Sequence, residues 1–179
     1  MQNAIAMVEL NSIARGIQVS DDMVKAATVQ LLRASTVCPG KYMVIVGGDT
    51  GSVKASLAAG INRGAEYVVD TLMIPNVHEQ LFPAISGVQE VNDPEAIGAV
   101  EFYSVASAIK AADAAAKAAN VTLIEVRTGF AIGGKGFFTL TGDVGAVRAA
   151  VKAAEQESDL FIGSTVIPHP APATLQSLF

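Results

Sequence analysis

The chain has 179 residues, 51% of them hydrophobic and only 16% charged, so it can bury a core and does not have the composition of a disordered segment. A net charge of −5 without any run of Lys or Arg argues against nucleic acid as a partner, because neutralising phosphates needs clustered cations. No apolar run approaches the ~18 residues of a membrane span, the N-terminus lacks the basic and apolar regions of a signal peptide, and one cysteine, Cys38, precludes an intrachain disulfide. These features predict a cytoplasmic protein with no membrane partner.

Residues 4–10 predict a strand, and Ile13, Ile17 and Val24 then fall at i, i+4 and i+11, the spacing of a helix stripe. Two β-rich runs follow, 29–35 and 42–47. Asp49 stands where an N-cap belongs, opening a second helix with Val53, Leu57 and Ile61 on its predicted buried face. A strand over 67–74 ends at Pro75. The segment from Gly87 to Glu95, with Asn92-Asp93-Pro94, has turn chemistry and reads as a linker.

Beyond the linker the sequence starts again. Ala4-Ile5-Ala6-Met7-Val8-Glu9 returns as Ala96-Ile97-Gly98-Ala99-Val100-Glu101, Gly48-Asp49 as Gly142-Asp143, and Ile74-Pro75 as Ile167-Pro168. The helix stripe returns as Val105, Ile109, Ala112 and Ala116, the paired runs as 121–127 and 137–141, and the last strand as 160–167. The offset is 92 positions up to Thr36/Thr128 and 94 at Gly40/Gly134, so two extra residues sit in a loop that begins near position 129. Two homologous domains are therefore predicted, 1–90 and 95–179. Each has the order β-α-β-β-α-β, an α+β, ferredoxin-like split βαβ unit with helices on one side of an antiparallel sheet.

Duplication also supplies an internal control for chemistry. Glu9 and Glu101 occupy equivalent positions, as do the caps Asp49 and Asp143, and scaffold roles follow for all four. His78 and His169 have no second ligand at metal-binding spacing. The stretch Gly129-Phe130-Ala131-Ile132-Gly133-Gly134-Lys135-Gly136 has phosphate-loop spacing, but Gly136 replaces the metal-binding Ser or Thr. It also leads into a strand, whereas a phosphate loop opens a helix. No nucleophile–base pair or cofactor fingerprint occurs in either copy, so the sequence does not read as that of an enzyme.

The second copy, AIGAVEFYSVASAIKAADAAAKAANVTLIEVR followed by GGKGFFTLTGDVGAVRAAV, closely resembles the bacterial microcompartment shell domain, and so does the first copy through AIAMVELNSIARGI and GGDTGSVKASL. The resemblance spans almost the whole chain and implies a tandem shell protein, a homotrimer that mimics a hexamer and tiles with other shell proteins. It places Lys25 and Lys117 at the tile edge. The family's Pro-Arg-Pro-His after the last strand is altered here to Pro75-Asn76-Val77-His78 and Pro168-His169-Pro170. The elements run in the ordinary, unpermuted order. The loops containing Val37, Cys38, Pro39 and Gly40, and Phe130, Ala131, Ile132, Gly133 and Gly134, are assigned by the same resemblance to the rim of a central pore.

Cys38 is the feature that one copy has and the other lacks, since Phe130 stands at its equivalent offset. Within the tandem family, Thr36-Val37-Cys38-Pro39-Gly40-Lys41 resembles the propanediol-utilisation-type branch that carries an iron–sulfur cluster at the pore. That resemblance implies one [4Fe–4S] cluster per trimer, held by three Cys38 thiolates and serving electron transfer or cluster delivery across the shell, with redox enzymes in the lumen as partners. Zinc suits the same three thiolates. A metabolite-transport pore without metal is the alternative reading, with Cys38 as an inert small side chain.

Overall fold

The computed structural model describes residues 3–91 and 94–178, so the Asn92-Asp93 part of the predicted linker lies outside the described residues. The chain separates into two compact units. The first runs to Phe82 and includes Gly129–Gly134; the second comprises Pro83–Thr128 and continues from Lys135.

The first unit contains β1 (Ala4–Leu10), α1 (Ile13–Ala26), β2 (Gln30–Val37), β3 (Lys41–Gly48), α2 (Thr50–Gly64) and β4 (Val68–Pro75), with a short 3-10 turn at Ala65–Tyr67. A helix α3 (Leu81–Ser86) follows. The second unit repeats the order as β5 (Ala96–Phe102), α4 (Val105–Ala118), β6 (Thr122–Thr128), β7 (Gly136–Gly142), α5 (Val144–Glu155) and β8 (Phe161–Pro168), and ends in α6 (Pro172–Leu178). The sheets are ordered β2-β3-β1-β4 and β6-β7-β5-β8, and every pairing is antiparallel. This is the predicted split βαβ topology. Even the irregularities recur. The register shifts between Glu9 and Leu10 and again between Glu101 and Phe102, and between Leu31 and Arg33 and again between Leu123 and Glu125.

Ser12 and Ser104 cap α1 and α4, while Asp49 and Asp143 cap α2 and α5 by accepting the N–H groups of Ser52 and Ala146. Hydrogen bonds from Ser52 hold the Asp49 carboxylate below the usual carboxylate range. The helices pack on β1 and β3 through Val8, Leu10, Val19, Met23, Val44, Val46 and Val53, all fully buried.

Two predicted faces are corrected by the structure. On α1 the buried residues are Gly16, Val19 and Met23, while Ile13, Ile17 and Val24 are 39%, 56% and 39% exposed. On α2 the buried residues are Val53, Ser56, Gly60 and Gly64; Leu57 is half-buried and Ile61 is exposed. Small residues turn these faces inward because the backbones come close. A methyl group on Gly60 would sit 2.7 Å from the Met23 sulfur, and the Ser56 hydroxyl donates to the Met23 carbonyl at 2.8 Å. In the second unit Val105, Ile109, Ala112 and Ala116 are buried as predicted. The helices α3 and α6 and the 3-10 turn were not foreseen.

Replacing Gly60 by Val overpacks this seam, and a loss of about 1–3 kcal/mol in denaturant unfolding is expected. The depressed pKa of Asp49 makes a second prediction. Its cap contributes fully above the unfolded-state carboxylate pKa and loses its effect as pH falls through the lower folded-state value. The gap in Tm between the parent and Asp49→Ala should therefore be widest at neutral pH and close in acid, as read by calorimetry.

Candidate functional site

The β2–β3 connection is only three residues long. Val37 is buried at the end of β2, Cys38 is half-buried, Pro39 and Gly40 are exposed, and Lys41 opens β3. The Cys38–Pro39 peptide is cis, and Gly40 turns the chain at φ 83°. An alanine methyl at Gly40 would have nothing within 4 Å, so the hairpin tip faces open space. The Cys38 thiol is in no disulfide.

The longer β6–β7 connection folds onto this hairpin, and Gly129–Gly134 belongs to the first compact unit. The Cys38 N–H donates to the Gly129 carbonyl at 3.2 Å. A methyl at Gly134 would fall 2.5 Å from the Cys38 carbonyl oxygen and 3.7 Å from Pro39. Gly129, Ala131, Gly133 and Gly134 all take positive φ, which bends the loop sharply and leaves Phe130 63% exposed at its turn. The two loops that the sequence assigned to one rim are thus in direct contact. The extra residues and the glycines were the only sequence signals for this docking.

Glu9 and Glu101 serve the scaffold, as their duplication implied. Each forms an ion pair with a lysine at the entry to its repeat's second hairpin strand, Glu9 with Lys41, which opens β3, and Glu101 with Lys135, which precedes β7. The environments differ: Glu9 is 4% exposed at its side chain and Glu101 is 41%. Lys25 and Lys117 stand in the last turns of α1 and α4, each bonded to the aspartate one turn earlier, Asp21 or Asp113. The Asp21 hydrogen bond, followed by its charge, raises the Lys25 pKa. Gly136 begins β7, not a helix, so residues 129–136 lack the helix N-terminus a phosphate loop requires. Among the described residues no three of His, Cys, Asp and Glu gather as a metal site within one chain. Nor is any described helix long and apolar enough to cross a membrane.

These features define a class: a duplicated α+β scaffold in which one repeat carries a glycine-rich loop and the other a thiol. Residues 4–77 and 96–170 each match the BMC domain family, and the chain belongs to the bacterial microcompartment shell proteins, with two such domains in tandem. It is 44% identical over 173 residues to the microcompartment shell protein PduT of Citrobacter freundii, covering 95% of this chain and 94% of the relative. Half of the chain aligns with the shell protein PduA of the same organism, at 37% identity over 87 residues, 46% of this chain and 94% of that one. A crystal structure of a microcompartment protein from Desulfitobacterium hafniense DCB superposes with a TM-score of 0.94 at 45% identity, covering 98% and 99% of the two chains. The protein is a structural component of a microcompartment shell.

The loop geometry separates two glycine substitutions. Gly40→Ala meets only the backbone penalty of positive φ, about 1–2 kcal/mol. Gly134→Ala has that penalty and the collision with the Cys38 carbonyl, so urea unfolding should show the larger loss. It should also change the rate at which Cys38 reacts with an aromatic disulfide reagent, whereas Gly40→Ala should leave that rate nearer the parent's.

Proposed function

We propose that three copies of this chain close a ring around a threefold axis and form a shell tile, and that three Cys38 thiolates on that axis hold one [4Fe–4S] cluster. The observation that carries the second part is the position of Cys38: a half-buried thiol beside an open hairpin tip, present in one repeat and replaced by Phe130 in the other. The donor set fits. A thiolate is the ligand such clusters take, one chain offers one, and a threefold ring offers three, leaving the fourth iron to a non-protein or solvent ligand. Zinc would use the same three thiolates with a fourth, solvent ligand, so iron and acid-labile sulfide content distinguishes the two.

The ring itself is supported by the mismatch between repeats. Ile13, Ile17 and Val24 form an exposed apolar face on α1, while their counterparts Val105, Ile109 and Ala116 are buried. A second copy seated there would remove that face from water, as contiguous exposed apolar surface favours. Pro39 and Gly40 fix the backbone on which the thiol is carried, and the docked Gly129–Gly134 loop backs it through the Cys38 N–H. A bound cluster supplies one-electron transfer, so the tile would carry electrons across the shell or deliver the cluster through it. Redox enzymes of the lumen are the natural partners for such a tile.

Anaerobically purified trimers should hold about four iron and four acid-labile sulfide, the stoichiometry of a cube, and Cys38→Ala trimers none. Equal iron in both would sink the Cys38 site. Iron in neither, with the trimer intact, would leave a metal-free metabolite pore as the tile's function. Light scattering of Ile17→Asp provides a separate check on the ring: loss of the trimer is expected, and an unchanged mass would remove the α1 face from it.

A further inference from the structure

The groove between α1 and α2 forms a cleft of about 610 Å³ lined by Arg15, Asp22, Lys25, Asn62 and Arg63 together with three alanines. Arg63 pairs with Asp22 at 2.7 Å, and the Arg15 guanidinium lies 5.4 Å from the centre of the Tyr67 ring. Three cations face one carboxylate, so the lining carries two positive charges in excess.

The second repeat shows what the fold alone requires here. Counted from the caps Ser12 and Ser104, Arg15, Asp22 and Lys25 correspond to Ser107, Ala114 and Lys117. Counted from Asp49 and Asp143, Arg63 corresponds to Glu157, which pairs with Lys110 at 3.3 Å. On the same count Ala65 corresponds to Asp159, so the equivalent set has one cation and two anions, one negative charge in excess. The same scaffold carries two chemically different grooves.

We infer that these grooves are unequal docking edges, and that the Lys25 edge of one trimer takes as its partner the Lys117 edge of another. The inference rests on the tile reading above. In a threefold ring of two-repeat chains the six edges alternate between first and second repeats, so a closed layer contains equal numbers of each. Two Lys25 edges face to face would oppose two clefts of like charge at a seam within a Debye length, about 10 Å at 0.1 M salt. Excluding that one pairing is sufficient. Every first-repeat edge must then meet a second-repeat edge, where Arg63 finds Glu157, and opposite edges of an alternating hexagon are of different kinds. All tiles in the layer consequently share one in-plane orientation.

The test mixes unlabelled and nitrogen-15-labelled trimers, assembles them into sheets at low salt and treats them with a short amine-reactive cross-linker, counting only peptides of hybrid mass. Links between Lys25 and Lys117 are expected, with Lys25–Lys25 links at or near zero. Arg63→Glu brings the cleft to neutrality and should make Lys25–Lys25 links appear, approaching the share set by random pairing. Arg15→Gln, on the other helix, carries the same test in weaker form if Arg63→Glu lowers the melting temperature. Lys25–Lys25 links at the random share in the parent, or an unchanged pattern in both folded variants, overturn the inference while leaving the tile reading intact. Trimers that form no sheets at all overturn both.

Discussion

A side chain at position 134 would put its first carbon 2.5 Å from the Cys38 carbonyl oxygen, and the surroundings of the one thiol depend on that carbon being absent. With glycine there, the β6–β7 loop lies flat on the β2–β3 hairpin and the Cys38 N–H finds the Gly129 carbonyl. The contact has a cost in conformational entropy, since the loop contains glycines at 129, 133 and 134, all at positive φ. What it yields is a short hairpin whose Cys38 main chain is tied to the neighbouring loop. The thiol is left half-buried and chemically available.

Below this site both units rely on the same economy of small residues. Gly60 and Ser56 let α2 approach Met23 on α1, and in the second unit Gly98 lies against Val151 and Leu140 in the same spirit. Close approach of backbones serves a core without Trp, in which Phe102 and Phe138 of the second unit are the large fully buried aromatics. A Glu–Lys pair in each repeat also ties the end of the first strand to the entry of the third.

The order of elements, strand limits to within a residue or two and both aspartate caps were legible in the sequence, because duplication presents each pattern twice and a cap has a sharp chemical signature. The core faces of α1 and α2 were not. Hydrophobic periodicity marks Ile13, Ile17 and Ile61, yet burial followed Gly16, Ser56 and Gly60, which no apolarity scale highlights. The short helices α3 and α6 carry too few turns for periodicity to register. At the site, the asymmetry of Cys38 and the equivalence of the two loops could be read directly. Their contact could not, since it depends on a backbone clearance that only the fold reveals.

Duplication also changes what a closed ring can count. A ring of six identical single-domain chains must display any given side chain either six times or not at all. Fusing two domains releases that parity, because a residue confined to one repeat occurs three times around the axis while its counterpart fills the alternate positions. In the proposed ring Cys38 and Phe130 would be such a pair. The duplicated chain can thus surround an axis with an odd-numbered set of donors, separated by apolar neighbours, while keeping a hexagonal outline for its neighbours to match. Divergence between the two halves is the route by which a uniform building block acquires a local chemistry of its own.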